Sequence, residues 1–389
     1  MPDLGSAWEE THRSSLRVDA DALKQFSSRI FEAAGCSEQH AATMAAVLVG
    51  QDMVGGRMSH GTACIGGRSY CRHIAAGLVN PRPEISVISS TPTTRVYDGD
   101  GGMGHLVCHE ATAWAIETAK KFGTAAFTTR NHFHFGGAGM WTRQAAEAGL
   151  MGLSMSSHRY PLVPGASIET VHGGSPMSFG LPAGDEPDLI LDMATHLTTG
   201  LDTEEMFAEL PASFLKDLAL GAVLRGLAGH VAGIYRPEVI HPDANEDGYT
   251  DKPSGQWEFS NQGSFVTLWC AHKPTSHSLI PCRDLVCNVF RDPACFMPRD
   301  DYYAEIDGFV ASVRQLAPFP GLDEAALPGG MEAARRRQAM APLADGGGIP
   351  LTRVHWEGVR DMAVELGVVV DGTDFAEDKA PAVPAEAKL

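Results

Sequence analysis

Sixteen of the 389 residues are histidine, the side chain whose ordinary pKa, near 6.5, lets it give or take a proton at neutral pH. One of them stands in Arg57-Met-Ser59-His60-Gly61, just after the glycine pair Gly55 and Gly56. A ring in such a turn can reach a cleft and act as an acid or base. A single His-Gly in a loop is also an ordinary surface histidine, so this motif needs company. Company comes from Arg130-Asn-His132-Phe-His134-Phe135-Gly136-Gly-Ala-Gly139, where two histidines run into a glycine-rich helix start. Backbone N–H groups at such a start bind phosphate or carboxylate. Pro164-Gly165, His172-Gly-Gly174-Ser175-Pro176, Asp192-Met-Ala194-Thr195 and Lys216 at the head of an apolar helix follow in order. Each is weak alone; the order is specific.

Two further patterns carry open alternatives. Gly99-Asp-Gly101-Gly-Met-Gly104 fits the G-x-G-x-x-G fingerprint of dinucleotide sites, between an expected strand and an expected helix. A Rossmann site also needs an acid about 20 residues on, and Thr128-Thr129-Arg130-Asn131 stands there. Arg130 could face a 2′-phosphate, or the glycines form only a turn. The histidines 60, 132, 134, 158, 172 and 196 could together hold Zn²⁺ or a related ion if three converged. No His-Glu-x-x-His spacing is present, and the alternative is separate hydrogen-bonding roles, so no metal site is assigned.

The positioning elements are legible from periodicity. Leu23, Phe26, Ile30 and Ala33 recur at helical spacing with Gly35 as a stop, and Ser37 opens a second helix to about Leu48, which makes an N-terminal helical hairpin. Thr94–Tyr97 reads as a strand and His109–Phe122 as a helix stopped by Gly123. Ala125–Thr129 and Leu150–Ser156 are extended around a helix over Ala138–Ala148; Phe179–Pro182 and Leu189–Asp192 are short strands. Leu218–Ala232 is apolar and helical, Gln256–Leu268 includes a strand, and helices cover Tyr302–Leu316, Met331–Met340 and Trp356–Leu366. The fold class is α/β (α+β). The expected organisation is a loose terminus over 1–17, a helical, substrate-side part over 18–95 and an α/β core over 96–232. A region of faint pattern (233–327), C-terminal helices (328–370) and a disordered acidic tail (371–389) follow.

Thirty Lys and Arg against forty-eight Asp and Glu give a formal charge of −18. That balance argues against nucleic acid or an anionic membrane surface, both of which select clustered cations. The longest apolar stretch, Ala219–Ile234, is broken by Arg225 and His230. The first residues show neither a basic nor an apolar signal region, which leads us to expect a cytoplasmic protein. Eight scattered cysteines read as reduced thiols.

The ordered set of motifs resembles the malate/L-lactate dehydrogenase family of NAD(P)-dependent oxidoreductases, which is unrelated to the Rossmann lactate dehydrogenases. Its relatives include ureidoglycolate and sulfolactate dehydrogenases and reductases of cyclic imino acids. The resemblance runs from about residue 19 to 232 and resumes from Pro328 to Gly367. It implies a family-specific nucleotide-binding fold with a large mostly antiparallel sheet, a homodimer, and hydride transfer with NADH or NADPH. Ser59-His60-Gly61 is similar to the family's Ser-His-Gly, with His60 as the acid/base. His134, Phe135 and Gly136 resemble its cofactor segment, as do Gly174-Ser175-Pro176, Asp192-Met-Ala194-Thr195 and Lys216.

The chain also departs from that pattern. The family's arginine ahead of Ser-His-Gly falls at Gly55, so the substrate side passes to Arg57, Arg68 or Arg159 together with His158, or the substrate offers no small carboxylate. These departures, with the added histidines at 132, 158, 172 and 196, lead us to expect a larger, specialised substrate and poor activity on malate, lactate and pyruvate, the alternative being that Arg57 reaches the same spot from two residues along. A non-redox enzyme or binding protein on the same scaffold, with or without a histidine-bound metal, is the competing class.

Overall fold

The computed structural model describes residues 14–55, 60–67, 70–158, 164–165, 168–171, 175–195, 207–234, 262–270, 298–317, 325, 327–370 and 375–377. Strand β1 (Ser14–Val18) leads into helix α1 (Ala20–Ala33), which starts where Asp19 accepts the N–H groups of Asp21 and Ala22 at 3.0 Å. Gly35, at φ 115°, turns the chain. Ser37 then caps helix α2 (Glu38–Val54) by accepting His40 N–H at 3.2 Å. The expected helical hairpin is present, but α2 runs past Leu48 to Val54 and ends at Gly55, φ 102°. Its Val47, Leu48, Val49, Gln51, Asp52, Met53 and Val54 are all buried, and a helix buried around most of its girth shows little periodicity from which to read its end. Two short helices follow, α3 (Ala63–Gly66) and α4 (Tyr70–Ala75).

Backbone proximity divides the chain into two units, Met1–Gly77 with Val310–Leu389 and Leu78–Phe309. The second is built on a seven-stranded sheet. Its strands are β2 (Ser86–Ser90), β3 (Thr94–Asp98), β4 (Thr124–His132), β5 (Leu150–His158), β6 (Pro176–Leu181), β7 (Leu189–Ala194) and β8 (Gln262–Cys270). They lie in the order β2-β3-β4-β8-β5-β6-β7, and β3 with β4 is the one parallel pair in that order. Helix α5 (Gly104–Phe122) makes that parallel crossover and α6 (Gly139–Glu147) joins β4 to β5. The sheet is large and mostly antiparallel, as the family resemblance implies. β2 belongs to it, so this unit begins before residue 96. Helix α7 (Pro211–Leu224) continues as a π-helix over Arg225–Val231, and its Leu224 and Ala228 pack on Leu153, Met155 and Met177. Helix α8 is Arg299–Val313. Among the described residues no helix is long and apolar enough to cross a membrane.

Helix α9 (Gly330–Met340), strand β9 (Ile349–Thr352), helix α10 (Arg353–Glu365) and strand β10 (Phe375–Glu377) return to the first unit. β1 lies between β10 and β9 in a three-stranded sheet. Ser14–Val18, at the edge of the segment read as loose, and Phe375–Glu377, inside the tail read as disordered, are therefore strands. Composition misses them because each is ordered by a partner more than three hundred residues away. Leu16, Val18, Leu23, Val49, Met53, Ala339, Ile349 and Leu351 close the core over that sheet.

The run Gly99–Gly104 is a turn rather than a phosphate cradle. Its N–H groups are used internally: Gly99 donates to Arg130 O at 2.9 Å, Gly101 to Asn131 O at 2.8 Å, Gly102 to Gly99 O at 2.9 Å and Gly104 to His134 O at 3.0 Å. Arg130, which could have met a 2′-phosphate, is buried with its Nε 3.6 Å from Asp98 Oδ2. A Cβ on Gly104 would stand 2.6 Å from both Phe133 O and His132 Nδ1 and 2.9 Å from Phe135 Cα. Because two of those three atoms are backbone, they cannot give way cheaply. Gly104→Ala is expected to cost about 1–3 kcal/mol of stability, read by urea unfolding, the range of overpacked sites with backbone displacement.

Candidate active site

In the second unit, residues from three separated motifs meet at the start of α6. His134 is buried with its ring 6.0 Å from that of His105. Phe135 is fully buried with its ring 6.3 Å from Trp141, so it anchors the segment by packing. Gly136 turns the chain at φ 87°, where a Cβ would press on His105 Nε2 at 2.8 Å. From β7, Asp192 lies against Gly139: a Cβ there would stand 2.5 Å from Asp192 Oδ2. A carboxylate at a helix N-terminus is held by the partial positive charge of its unsatisfied N–H groups. The chain's own carboxylate thus lies beside the helix start read as ready for a bound anion.

β6 and β7 bring the other motif residues alongside. Pro176 pairs with Ala194, and Thr195 donates its hydroxyl to Ser175 O at 2.6 Å. Thr142 on α6 joins Ser178 on β6 through hydroxyls 2.6 Å apart. Ser175 is fully buried, and its Oγ has no hydrogen-bond partner among the described residues. An unpaired buried hydroxyl costs free energy, about 1–3 kcal/mol, so it marks a place where a ligand group could complete the bonding. His134, Phe135, Gly136, Ser175, Pro176, Asp192, Ala194 and Thr195 are brought to one region. Lys216 is exposed on α7, and no described contact ties it to them. Gly174 lies outside the described residues.

A second polar row crosses the ends of β4, β5 and β8. His132 Nδ1 is 2.7 Å from Phe133 O and must donate to it, so Nε2 accepts from Thr129 Oγ1 at 2.7 Å. Ser264 Oγ is 2.6 Å from Thr129 Oγ1, and Cys108 Sγ is 3.5 Å from Ser264 Oγ. One direction satisfies the chain: thiol to Ser264, Ser264 to Thr129, Thr129 to imidazole. It needs a neutral thiol and a neutral ring. Burial pushes Cys108 up to about 12 and holds His132 down to about 4. For His132 the Phe133 carbonyl and Asp98 pull upward and His158 downward. His158, at the end of β5, has Nε2 3.1 Å from Gln262 Nε2. Neither Gln262 nor Ser264 was singled out from sequence; both sit in a strand whose place between β4 and β5 only pairing decides.

In the first unit, His60 is half-buried beside Gly61 and Thr62. Thr62 donates its N–H at 3.0 Å and its hydroxyl at 2.5 Å to Asp52 Oδ2, and Thr62 Oγ1 is 2.8 Å from His355 Nε2. Over Gly55, where the family pattern has an arginine, lies the side chain of Arg335 from α9: a Cβ on Gly55 would stand 2.8 Å from Arg335 Nη1. Sequence reasoning missed Arg335 because nothing along the chain links residue 335 to residue 55. Ser59, Arg57, Arg68 and Arg159 lie outside the described residues. Among the described residues, no three His, Cys, Asp or Glu side chains gather to hold a metal ion.

A family model described as malate/L-lactate dehydrogenase matches residues 18–204. A malate dehydrogenase of Pyrococcus horikoshii is 36% identical over 182 residues, 47% of this chain and 49% of that protein. An L-sulfolactate dehydrogenase of Methanocaldococcus jannaschii is 33% identical over 177 residues, 45% and 47% of the two chains. The sequence match thus spans about half the length of these curated relatives. In three dimensions the chain resembles the structure of the malate dehydrogenase of Pyrococcus horikoshii OT3, with a TM-score of 0.70, 24% identity, and coverage of 92% of this chain and 98% of that one. That is a likeness of fold.

The depressed pKa of His132 has a consequence for stability. The unfolded chain, with an ordinary imidazole near 6.5, binds the proton more readily than the fold does. The stabilisation is therefore complete above about pH 6.5 and lost as pH falls toward 4, by about 3 kcal/mol at most, at about 1.36 kcal/mol per pKa unit. Urea unfolding across that window should show wild type losing this increment, and His132→Gln should flatten the profile by a similar amount.

Proposed function

The chain belongs to the malate/L-lactate dehydrogenase family, and we propose that it is an NAD(P)-dependent oxidoreductase. It moves hydride between a nicotinamide and a carbon that bears a hydroxyl or an amine next to a carboxylate. The observation that carries this reading is the gathering of the Phe135–Gly139, Ser175–Pro176 and Asp192–Thr195 segments around the unpartnered Ser175 hydroxyl. With Asp192 at the head of α6 and the unpaired Ser175 hydroxyl beside it, this region offers acceptor oxygens next to the first N–H groups of the helix. Acceptor oxygens of this kind suit the hydroxyl and carboxamide donors of a dinucleotide. The residues present therefore fit the cofactor, whose nicotinamide supplies or accepts hydride when bound. Ser175 and Asp192 would orient it, and Gly136 and Gly139 allow close approach.

His60 donates the proton to the substrate oxygen or nitrogen in the reductive direction and takes it back in the oxidative one, so that no free alkoxide forms. Arg335 is the cation we assign to the substrate's anionic group. The fork of a guanidinium matches two carboxylate oxygens, and the absence of a side chain at Gly55 leaves the space it occupies. In a chain of formal charge −18, a local guanidinium offsets the repulsion an anionic substrate meets. A cation reaching in from another helix, over a glycine, supports a substrate larger than malate or lactate. We also propose the homodimer that the family resemblance implies.

Titration with NADH and NADPH, followed by nucleotide fluorescence, should show saturable binding of at least one; binding of neither at millimolar concentration overturns the oxidoreductase reading in favour of a non-redox role. His60→Asn should leave that affinity and the melting temperature nearly unchanged while lowering kcat by roughly 10²–10⁴. Arg335→Ala should raise KM for the acid substrate about 10- to 100-fold with a smaller change in kcat, matching the loss of about 1.5–3 kcal/mol of charge-assisted hydrogen bonding. An unchanged KM in steady-state assays would move the anion-binding role to another residue.

A further inference from the structure

Asp52 is 2% exposed, Thr62 fully buried and His355 2% exposed. They come from α2, from the segment just after His60, and from the first turn of α10. As a carboxylate Asp52 only accepts, and it takes both the N–H and the hydroxyl of Thr62 on Oδ2. The hydroxyl's single proton is then spent, so Thr62 Oγ1 must accept from His355, which fixes His355 with its proton on Nε2. The order is His355 to Thr62 to Asp52. Gly61, between His60 and Thr62, lies so close on Asp52 that a Cβ there would overlap the carboxylate. Gly66 lies against the backbone of Gly358 in α10, so close that a Cβ there would overlap it.

Burying a carboxylate is expensive, and a well-packed apolar group is often no worse for stability. The feature that an apolar replacement could not reproduce here is the hydrogen-bonded hold on the Gly61–Thr62 peptide, one residue beyond His60, with Gly61 packed against the same carboxylate. We propose that Asp52, Thr62 and His355 form a positioning chain that fixes the backbone and ring orientation of His60. The inference rests on His60 being the proton donor assigned above. None of the three needs to touch substrate. The chain spans a sequence separation of 293 residues, so it also makes the orientation of His60 depend on α10 being in place. Mispositioning an acid by about 1 Å can cost as much as 100-fold in rate.

The test uses the full chain with Thr62→Val, which keeps the shape and removes the hydroxyl, and Thr62→Ser, which keeps the hydroxyl. Histidine-labelled protein is followed by NMR, with the His60 and His355 signals assigned by His60→Gln and His355→Gln. In wild type the His355 Nε2 proton should be visible in slow exchange; its absence in folded protein overturns the chain whatever the variants do. Thr62→Val should shift the His60 titration and lower kcat about 10- to 100-fold, with nucleotide affinity unchanged. Thr62→Ser should restore both to within about twofold. A Thr62→Val protein whose His60 titration matches wild type, or a Thr62→Ser protein that restores nothing, overturns the proposal. Should Thr62→Val fail to fold, Asp52→Asn, which keeps an acceptor oxygen, is read in the same way. Failure of the oxidoreductase reading is seen separately, as absence of nucleotide binding with the NMR coupling between Thr62 and His60 intact.

Discussion

The second unit depends on one backbone ladder. Between residues 99–104 and 130–134, four hydrogen bonds of 2.8–3.0 Å join Gly99, Gly101 and Gly104 N–H to the carbonyls of Arg130, Asn131 and His134, and Phe133 N–H to Gly102 O. The chain leaves β4 through Asn131 at φ 54°, a conformation that asparagine tolerates better than most residues. Contact this close is open only to glycine, because a Cβ on Gly99 or Gly104 would meet His132, Asn131 or Phe133 within about 3 Å. This ladder aims His132 inward, carries His134 past His105 and delivers Gly136 to the head of α6. The position of the whole candidate cofactor region follows from it.

Electrostatics then sorts the polar groups. Asp192 is stabilised where helix N–H groups are exposed, Asp98 by Arg130, Asn131 and the N–H of Asp100, and Asp52 by the two donors of Thr62. Asp98 and Asp52 thus each accept hydrogen bonds from named donors. The buried His132 and Cys108 are held neutral by desolvation, and their hydrogen-bond chain runs in the single direction that neutrality permits. The same low-polarity surroundings make the unmade bond of the buried Ser175 hydroxyl costly.

Much of the local structure was legible in the sequence. Asp19 and Ser37 as helix starts, Gly35, Gly123 and Gly149 as stops, and the strands around residues 94, 125, 150 and 190 all rest on short-range rules of capping, left-handed glycine and periodicity. Boundaries slipped where a helix was buried nearly all round, as in α2, or began inside a glycine run, as in α5. Of the ordered motifs, the structure lays Asp192 against Gly139 at the head of α6 and joins Thr195 to Ser175. Lys216 did not join them, because its position on an exposed helical turn is set by how α7 packs through Leu220, Leu224 and Ala228.

By itself the sequence determined the helical hairpin, the α/β character and the family, each through residues near one another in the chain or through an ordered set of motifs. Tertiary structure alone decided that β1 is completed by β9 and β10, that β8 enters between β4 and β5, that Gly99–Gly104 supports β4 instead of a phosphate, that Arg335 covers Gly55, and that Asp52 and His355 close on Thr62. Periodicity encodes which face of an element is apolar and caps encode where it ends. Neither encodes which distant element will satisfy that face or that hydrogen bond, because the choice is made by burial and hydrogen-bond completion over the whole chain.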